Sequence, residues 1–159
     1  MSKLFGAIEE LHGQSALHRD IKAGNIMMLP TNELKLLDLG IVVATGESSL
    51  TATSVFIGSK HSAPIEQLSG EELDERTDIY AAGTVLFHSY TGRPIYHKVG
   101  PEGAIVKRML TRPEKLEPKS EMDSRFVEFV NSCISVEAAD RPNSARDCKE
   151  ILLELLRPR

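Results

Sequence analysis

Two stretches of this 159-residue chain hold side chains that can do chemistry together. The first is His18-Arg19-Asp20-Ile21-Lys22-Ala23-Gly24-Asn25, and after twelve intervening residues comes Asp38-Leu39-Gly40. Asp20 is a carboxylate able to orient a hydroxyl and accept its proton. Asn25 and Asp38 offer oxygen ligands, the type that a hard Mg²⁺ ion takes alongside phosphate oxygens. Lys22 is a point charge suited to neutralising a transferring phosphoryl group. The set suits phosphoryl transfer.

Positioning these groups requires the chain to fold back between Asn25 and Asp38. Ile26–Leu29 and Leu34–Leu37 are short apolar runs separated by Pro30-Thr31-Asn32-Glu33, a β-hairpin pattern. Such a hairpin lets both ligands reach one metal ion. Upstream, Leu4, Phe5, Ile8 and Leu11 repeat at helical spacing, predicting an amphipathic helix over 3–12 that stops at Gly13. A further short strand is expected over 41–44. Residues 45–54 carry six hydroxyls (Thr45, Ser48, Ser49, Thr51, Thr53, Ser54) and read as a loop.

From Thr77, read as the N-cap, a helix is expected to run to about Tyr90 and stop at Gly92. Ile79, Tyr80, Val85, Leu86 and Phe87 leave it no polar face, so it is the buried element around which the fold wraps. Three amphipathic helices are expected beyond it. Pro101 opens one carrying Ile105, Val106, Met109 and Leu110. Ser120 and Asp123 cap another carrying Phe126 to Ile134. Ser144 opens the last, with Ile151, Leu152, Leu155 and Leu156 as its apolar side. Met27, Met28 and Met109 read as core filler. The acidic run Glu71-Glu72-Asp74-Glu75 reads as a solvated face. His61, His88 and His97 receive no role. The class is α+β and mostly α-helical, in one domain.

Composition excludes several functions. Net charge is −4, which gives no electrostatic case for binding nucleic acid. No apolar run approaches a membrane span. Cys133 and Cys148 stand alone without a CxxC, which argues against a zinc cage and fits a reduced, cytoplasmic setting. No two glycines stand two or five apart, so neither G-x-G nor a Walker A loop occurs.

The stretch around Asp20 resembles the protein-kinase catalytic loop H-R-D-x-x-x-x-N. Asp38-Leu39-Gly40 resembles D-F-G with Leu for Phe, and Gly58-Ser59 resembles the Gly-Thr of the substrate-docking loop. Pro64-Ile65-Glu66 stands where A-P-E should be. Asp78 to Gly83 is similar to the D-x-W/Y-x-x-G of the central helix, and Asp140-Arg141-Pro142 to the D-R-P before the last helix. The ordered set covers essentially residues 1–159 and resembles the C-terminal lobe of a eukaryotic-like serine/threonine protein kinase, with catalytic loop 18–25 and activation segment 38–66.

The resemblance implies ATP and Mg²⁺ as cofactors and a protein substrate bearing Ser or Thr. Asp20 would be the catalytic base, and Lys22 the group on the γ-phosphate, catalytic and nucleotide-binding at once. Asn25 and Asp38 would hold Mg²⁺ and, through it, the nucleotide. Arg19 would receive a phosphate on the 45–54 loop. Glu66 and Arg141 would form a buried ion pair, and Asp78 would hold the backbone of His18 and Arg19. Ser62 stands where the family usually has Tyr. The nineteen residues before Asp20 encode one helix, without glycine-rich loop, strand lysine or hinge, so a separate N-lobe or a regulatory protein is an expected partner. Two other readings are a stand-alone, non-catalytic binding module and a degenerate remnant. The 159-residue chain alone is expected to show no measurable turnover.

Overall fold

Leu4, Phe5 and Ile8 lie on one side of a helical wheel, and burying them sets the first contact of the fold. In the computed structural model, which describes residues 1–38, 43–44, 62–96, 112–120 and 124–157, they sit in the core on helix α1 (Ser2–His12). The expected loop 45–54, the Gly58-Ser59 motif and the Pro101 helix lie outside the described residues. Helix α1 ends at Gly13 as expected, but not through glycine's special freedom. Gly13 keeps right-handed helical angles, and the left-handed turn falls at Ser15, with φ 56°.

Strand β1 (Ala16–Leu17) leads into the His18 segment. The hairpin follows as β2 (Ile26–Met28) and β3 (Leu34–Leu36), antiparallel, with Ile26 opposite Leu36 and Met28 opposite Leu34. Asn32, with φ 62°, turns the chain, and asparagine tolerates that region. Ile26, Leu34 and Leu36 pack on the core. Met27 and Met28 do not fill it: they are 44% and 54% exposed. The outer face of a two-stranded hairpin has no layer above it, and Met28 sits at the tip. Strand β4 (Val43–Ala44) returns to pair antiparallel with β1.

Helix α2 (Ile65–Ser69) precedes the buried helix α3 (Glu75–Thr91). The N-cap of α3 is Asp74, whose Oδ1 accepts the Arg76 N–H at 2.8 Å, not Thr77. Thr77 lies inside the helix, and its hydroxyl donates to Glu66 at 3.4 Å. Gly92 ends α3 in the left-handed region at φ 73°, where a side chain would be strained.

Helix α4 (Ser124–Cys133) crosses α3 at Gly83. A Cβ on Gly83 would stand 2.7 Å from Cys133 Cβ, so only glycine permits this approach. The final helix α5 (Ala145–Leu155) is capped by Ser144, whose hydroxyl accepts the Asp147 N–H. Helix α5 packs along α1, joined by Lys149 to Glu9 at 2.9 Å. Leu152 is buried and Leu155 packs on the core, whereas Ile151 and Leu156 are exposed. The core thus collects on α3, between α1 and α4, as its all-apolar surface predicts. The architecture is α+β, mostly helical, around a central buried helix.

Candidate active site

Asp78 sits in the first turn of α3 with no exposure to solvent. A buried carboxylate requires hydrogen-bond donors, and it finds three. Its Oδ2 accepts the His18 N–H at 2.8 Å and His12 Nε2 at 2.9 Å, and its Oδ1 accepts the Arg19 N–H at 2.9 Å. The Arg19 carbonyl in turn accepts Gln67 Nε2 at 2.8 Å. Arg19 is thereby held at φ 64°, a left-handed conformation that costs a non-glycine residue about 1–3 kcal/mol. Two elements, α2 and α3, hold this peptide from both sides.

The turn at Arg19 aims the next residues. His18 is fully buried, with Nδ1 accepting the Asp20 N–H at 3.3 Å and Nε2 donating to the Leu37 carbonyl at 3.1 Å. Those two contacts place the ring proton on Nε2. Asp20 is buried, and its Oδ2 accepts Lys22 Nζ at 2.6 Å and Asn25 Nδ2 at 3.1 Å. Asn25 Nδ2 also donates to the Asp20 carbonyl at 2.9 Å. The side-chain nitrogen of Asn25 is therefore taken up by Asp20, which leaves its side-chain oxygen Oδ1 as the end that can face a ligand.

The hairpin brings the last member close. The Leu37 N–H donates to the Asn25 carbonyl at 2.8 Å, so Asp38 follows directly on a residue paired with Asn25. Asp38 is exposed and adopts φ 65°, a conformation that aspartate tolerates better than most residues. Asn25 and Asp38 thus lie together at the open end of the hairpin. Two oxygen donors fit Mg²⁺, which keeps waters and substrate phosphates in its shell and needs no all-protein cage. Among the described residues no cluster of three or more His, Cys, Asp or Glu forms a closed metal site.

A second polar cluster backs the first. Arg141 Nη1 and Nη2 donate to the two Glu66 oxygens at 2.6 and 3.1 Å. Nε donates to the Ser135 carbonyl, Nη2 to that of Val136 and Nη1 to that of Arg76, so all five N–H donors are used. The guanidinium also lies 4.8 Å from the Tyr80 ring centre. The structure thus places Asp20, Lys22, Asn25 and Asp38 together, with Asp78 and the Glu66–Arg141 pair beneath.

Sequence reasoning did not find His12 or Gln67. His12 bears the only ring nitrogen on Asp78 among the described residues, and its Nδ1 lies 3.5 Å from Glu75. Its spacing on the buried face of α1, four residues after Ile8, was the available signal. Glu75, read as part of a solvated face, is turned partly inward to it.

Comparison with known proteins agrees with this geometry. The protein kinase domain model matches residues 1–153. A probable serine/threonine-protein kinase of Clostridium acetobutylicum is 33% identical over 94% of this chain and 22% of its own length. The serine/threonine-protein kinase PknB of Mycobacterium leprae is 30% identical over 95% of this chain and 24% of its own. PknK of Mycobacterium tuberculosis is 32% identical over 98% of this chain and 14% of its own. The chain thus spans about a quarter or less of the length of these relatives. It belongs to the protein kinase family, on the side of the eukaryotic-like serine/threonine kinases.

Proposed function

We propose that this chain forms the catalytic half of a serine/threonine protein kinase, which transfers the γ-phosphate of ATP to Ser or Thr of a protein. The observation that carries the reading is the Asp20–Lys22–Asn25 cluster, held by a left-handed Arg19 that Asp78 and Gln67 pin. Strain of this kind collects at functional sites, where it orients a reactive group. Asp20 orients the accepting hydroxyl and takes its proton. Lys22 holds the Asp20 carboxylate from one side and meets the transferring phosphoryl group on the other. Asn25, through its side-chain Oδ1, and Asp38 would hold Mg²⁺, which screens charge on the phosphates when bound.

Arg19 extends the reading to regulation. Its Nε is buried and has no hydrogen-bond partner among the described residues. A phosphate on one of the hydroxyls of residues 45–54 would supply the missing acceptor and draw that segment toward the site. A cytoplasmic location is part of the proposal, supported by two free, buried thiols at Cys133 and Cys148. No described helix is long and apolar enough to cross a membrane.

The alternative is a non-catalytic binding module, and the sequence offers one observation for it. No G-x-G pair occurs in the 159 residues, so this chain brings no glycine cradle for the α- and β-phosphates. Catalysis of this type is largely positioning and electrostatics. The chain alone is therefore expected to bind Mg-ATP with a Kd of about 1 mM or weaker, without turnover. Calorimetry with Mg-ATP, beside a peptide phosphorylation assay with and without a nucleotide-binding lobe, tests both readings. Transfer that appears only with the lobe supports the kinase. No transfer under either condition leaves the binding module.

A further inference from the structure

Next to Lys22 the surface carries a recess of about 100 Å³ that the catalytic chemistry does not use. Its polar edge is Lys22 and His88, and its apolar wall is Ala23, Val85, Pro94 and Ile95. Thr84, Val85 and His88 share a face of α3 by their spacing. Gly92 then turns the chain so that Pro94 and Ile95 close the far side. Ser62 and Thr84 contribute hydroxyls, and that of Thr84 already donates to the Ala81 carbonyl at 2.8 Å. Among the described residues that line the recess there is no carboxylate.

The location ties it to the proposed reaction. Lys22 reaches from this recess to Asp20, with Nζ 2.6 Å from the carboxylate. A lysine side chain is about as long as two residues of extended chain. A substrate hydroxyl at Asp20 therefore has its near neighbours over the recess.

We infer that this recess accepts one uncharged aliphatic side chain of the protein substrate, within about two residues of the accepting Ser or Thr, and turns away Lys and Arg. The inference rests on the kinase reading above. Size supports it, because the space is that of about three water molecules, enough for one small aliphatic group. Charge decides the rest. A basic side chain would meet the Lys22 ammonium, whose charge by itself repels it. It would also lose water without gaining an anion. An acidic side chain would have to compete with Asp20 for Lys22, which that carboxylate already holds. In sequence, the approach to Ser62 adds no acid: no Asp or Glu occurs between Glu47 and Glu66, and Lys60 and His61 come just before Ser62.

Fluorescence anisotropy on the full 159-residue chain tests this with three labelled peptides. Each carries one Ser in the same flanking sequence, with Val, Arg or Glu at the neighbouring positions. The Val peptide should bind about tenfold more tightly than the Arg peptide, and more tightly than the Glu peptide. His88→Glu, at an exposed helix position, should reduce or invert the Val-over-Arg ratio. Ala23→Trp, which fills the recess, should abolish the discrimination, and thermal melts would confirm that both variants fold. Preference for Arg or Glu, equal binding of all three, or no saturable binding overturns the inference. Binding is read without phosphate transfer, so a Val preference beside no transfer even with a nucleotide-binding lobe would overturn the kinase reading and leave a peptide-binding recess.

Discussion

Asp20 and Glu66 are both buried carboxylates, and each is gripped by a cation at 2.6 Å. Their partners differ in origin. Lys22 and Asn25 stand two and five residues from Asp20, and the Lys22 side chain stays 40% exposed. Arg141 stands 75 residues from Glu66, with its side chain wholly buried. Only Lys22 of the local pair faces water, so it can swing away to water or to a substrate more readily than the enclosed Arg141 can. The distant pair ties α2 to the segment before α5, and removing one side strands a charge where water cannot reach it. On the proposed reading the first pair takes part in the reaction, whereas the second joins distant parts of the fold.

The largest expected effect tests the reactive side. In the kinase with a nucleotide-binding lobe, Asp20→Asn should lower turnover by about 10²–10⁴-fold, the contribution of a positioned base. Its melting temperature should stay near that of the parent. A variant that keeps parental turnover would remove Asp20 from the mechanism. On the structural side, Arg141→Met should cost about 3–5 kcal/mol of stability by leaving Glu66 buried and unpaired. Chemical denaturation would measure it, and a loss under 1 kcal/mol (about the worth of an exposed pair) would erase the contrast.

Smaller effects sharpen the same contrast. Gly83→Ala should cost about 1–3 kcal/mol by overpacking against Cys133, again read from denaturation curves. His12→Phe removes one of three donors on Asp78 and should cost about 1–3 kcal/mol. If Asp78 transmits order to the catalytic loop, His12→Phe should also lower turnover at saturating substrate, which a purely structural contact would leave alone. Last, burial pushes the Cys133 thiol well above its ordinary pKa, and the neighbouring Cys148 adds to that. Thiol reagents should therefore label neither cysteine until the protein unfolds. Labelling of the native protein at neutral pH would show that the α4–α5 contact opens.

Much of the fold was legible because local rules and tertiary packing agreed. Helix α3 is apolar nearly all round and ends in a glycine that takes φ 73°, so both its burial and its stop followed from sequence. The hairpin turn at Pro30–Glu33 was equally explicit. The start of α3 was not, because Asp74 lies in an acidic run whose members look interchangeable. Only the structure separates Asp74 as the cap, Glu75 as a neighbour of His12, and Thr77 as a partner of Glu66. Strand β1 was missed for a related reason. Two residues carry no period, and their pairing with Val43 and Ala44 is a long-range event.

The same division runs through the site. Residue types and order determined the chemistry: a carboxylate at Asp20, a cation two residues on, and oxygen donors at Asn25 and Asp38. These are covalent facts, spaced along a chain that a hairpin must fold back. Tertiary structure alone decided the conformation that aims them. Nothing local requires Arg19 to take φ 64°. That angle persists because Asp78, about sixty residues away, accepts its N–H, and Gln67 donates to its carbonyl. Strain at one residue is paid for by hydrogen bonds from buried groups on other elements, and no window of sequence contains both sides of that balance.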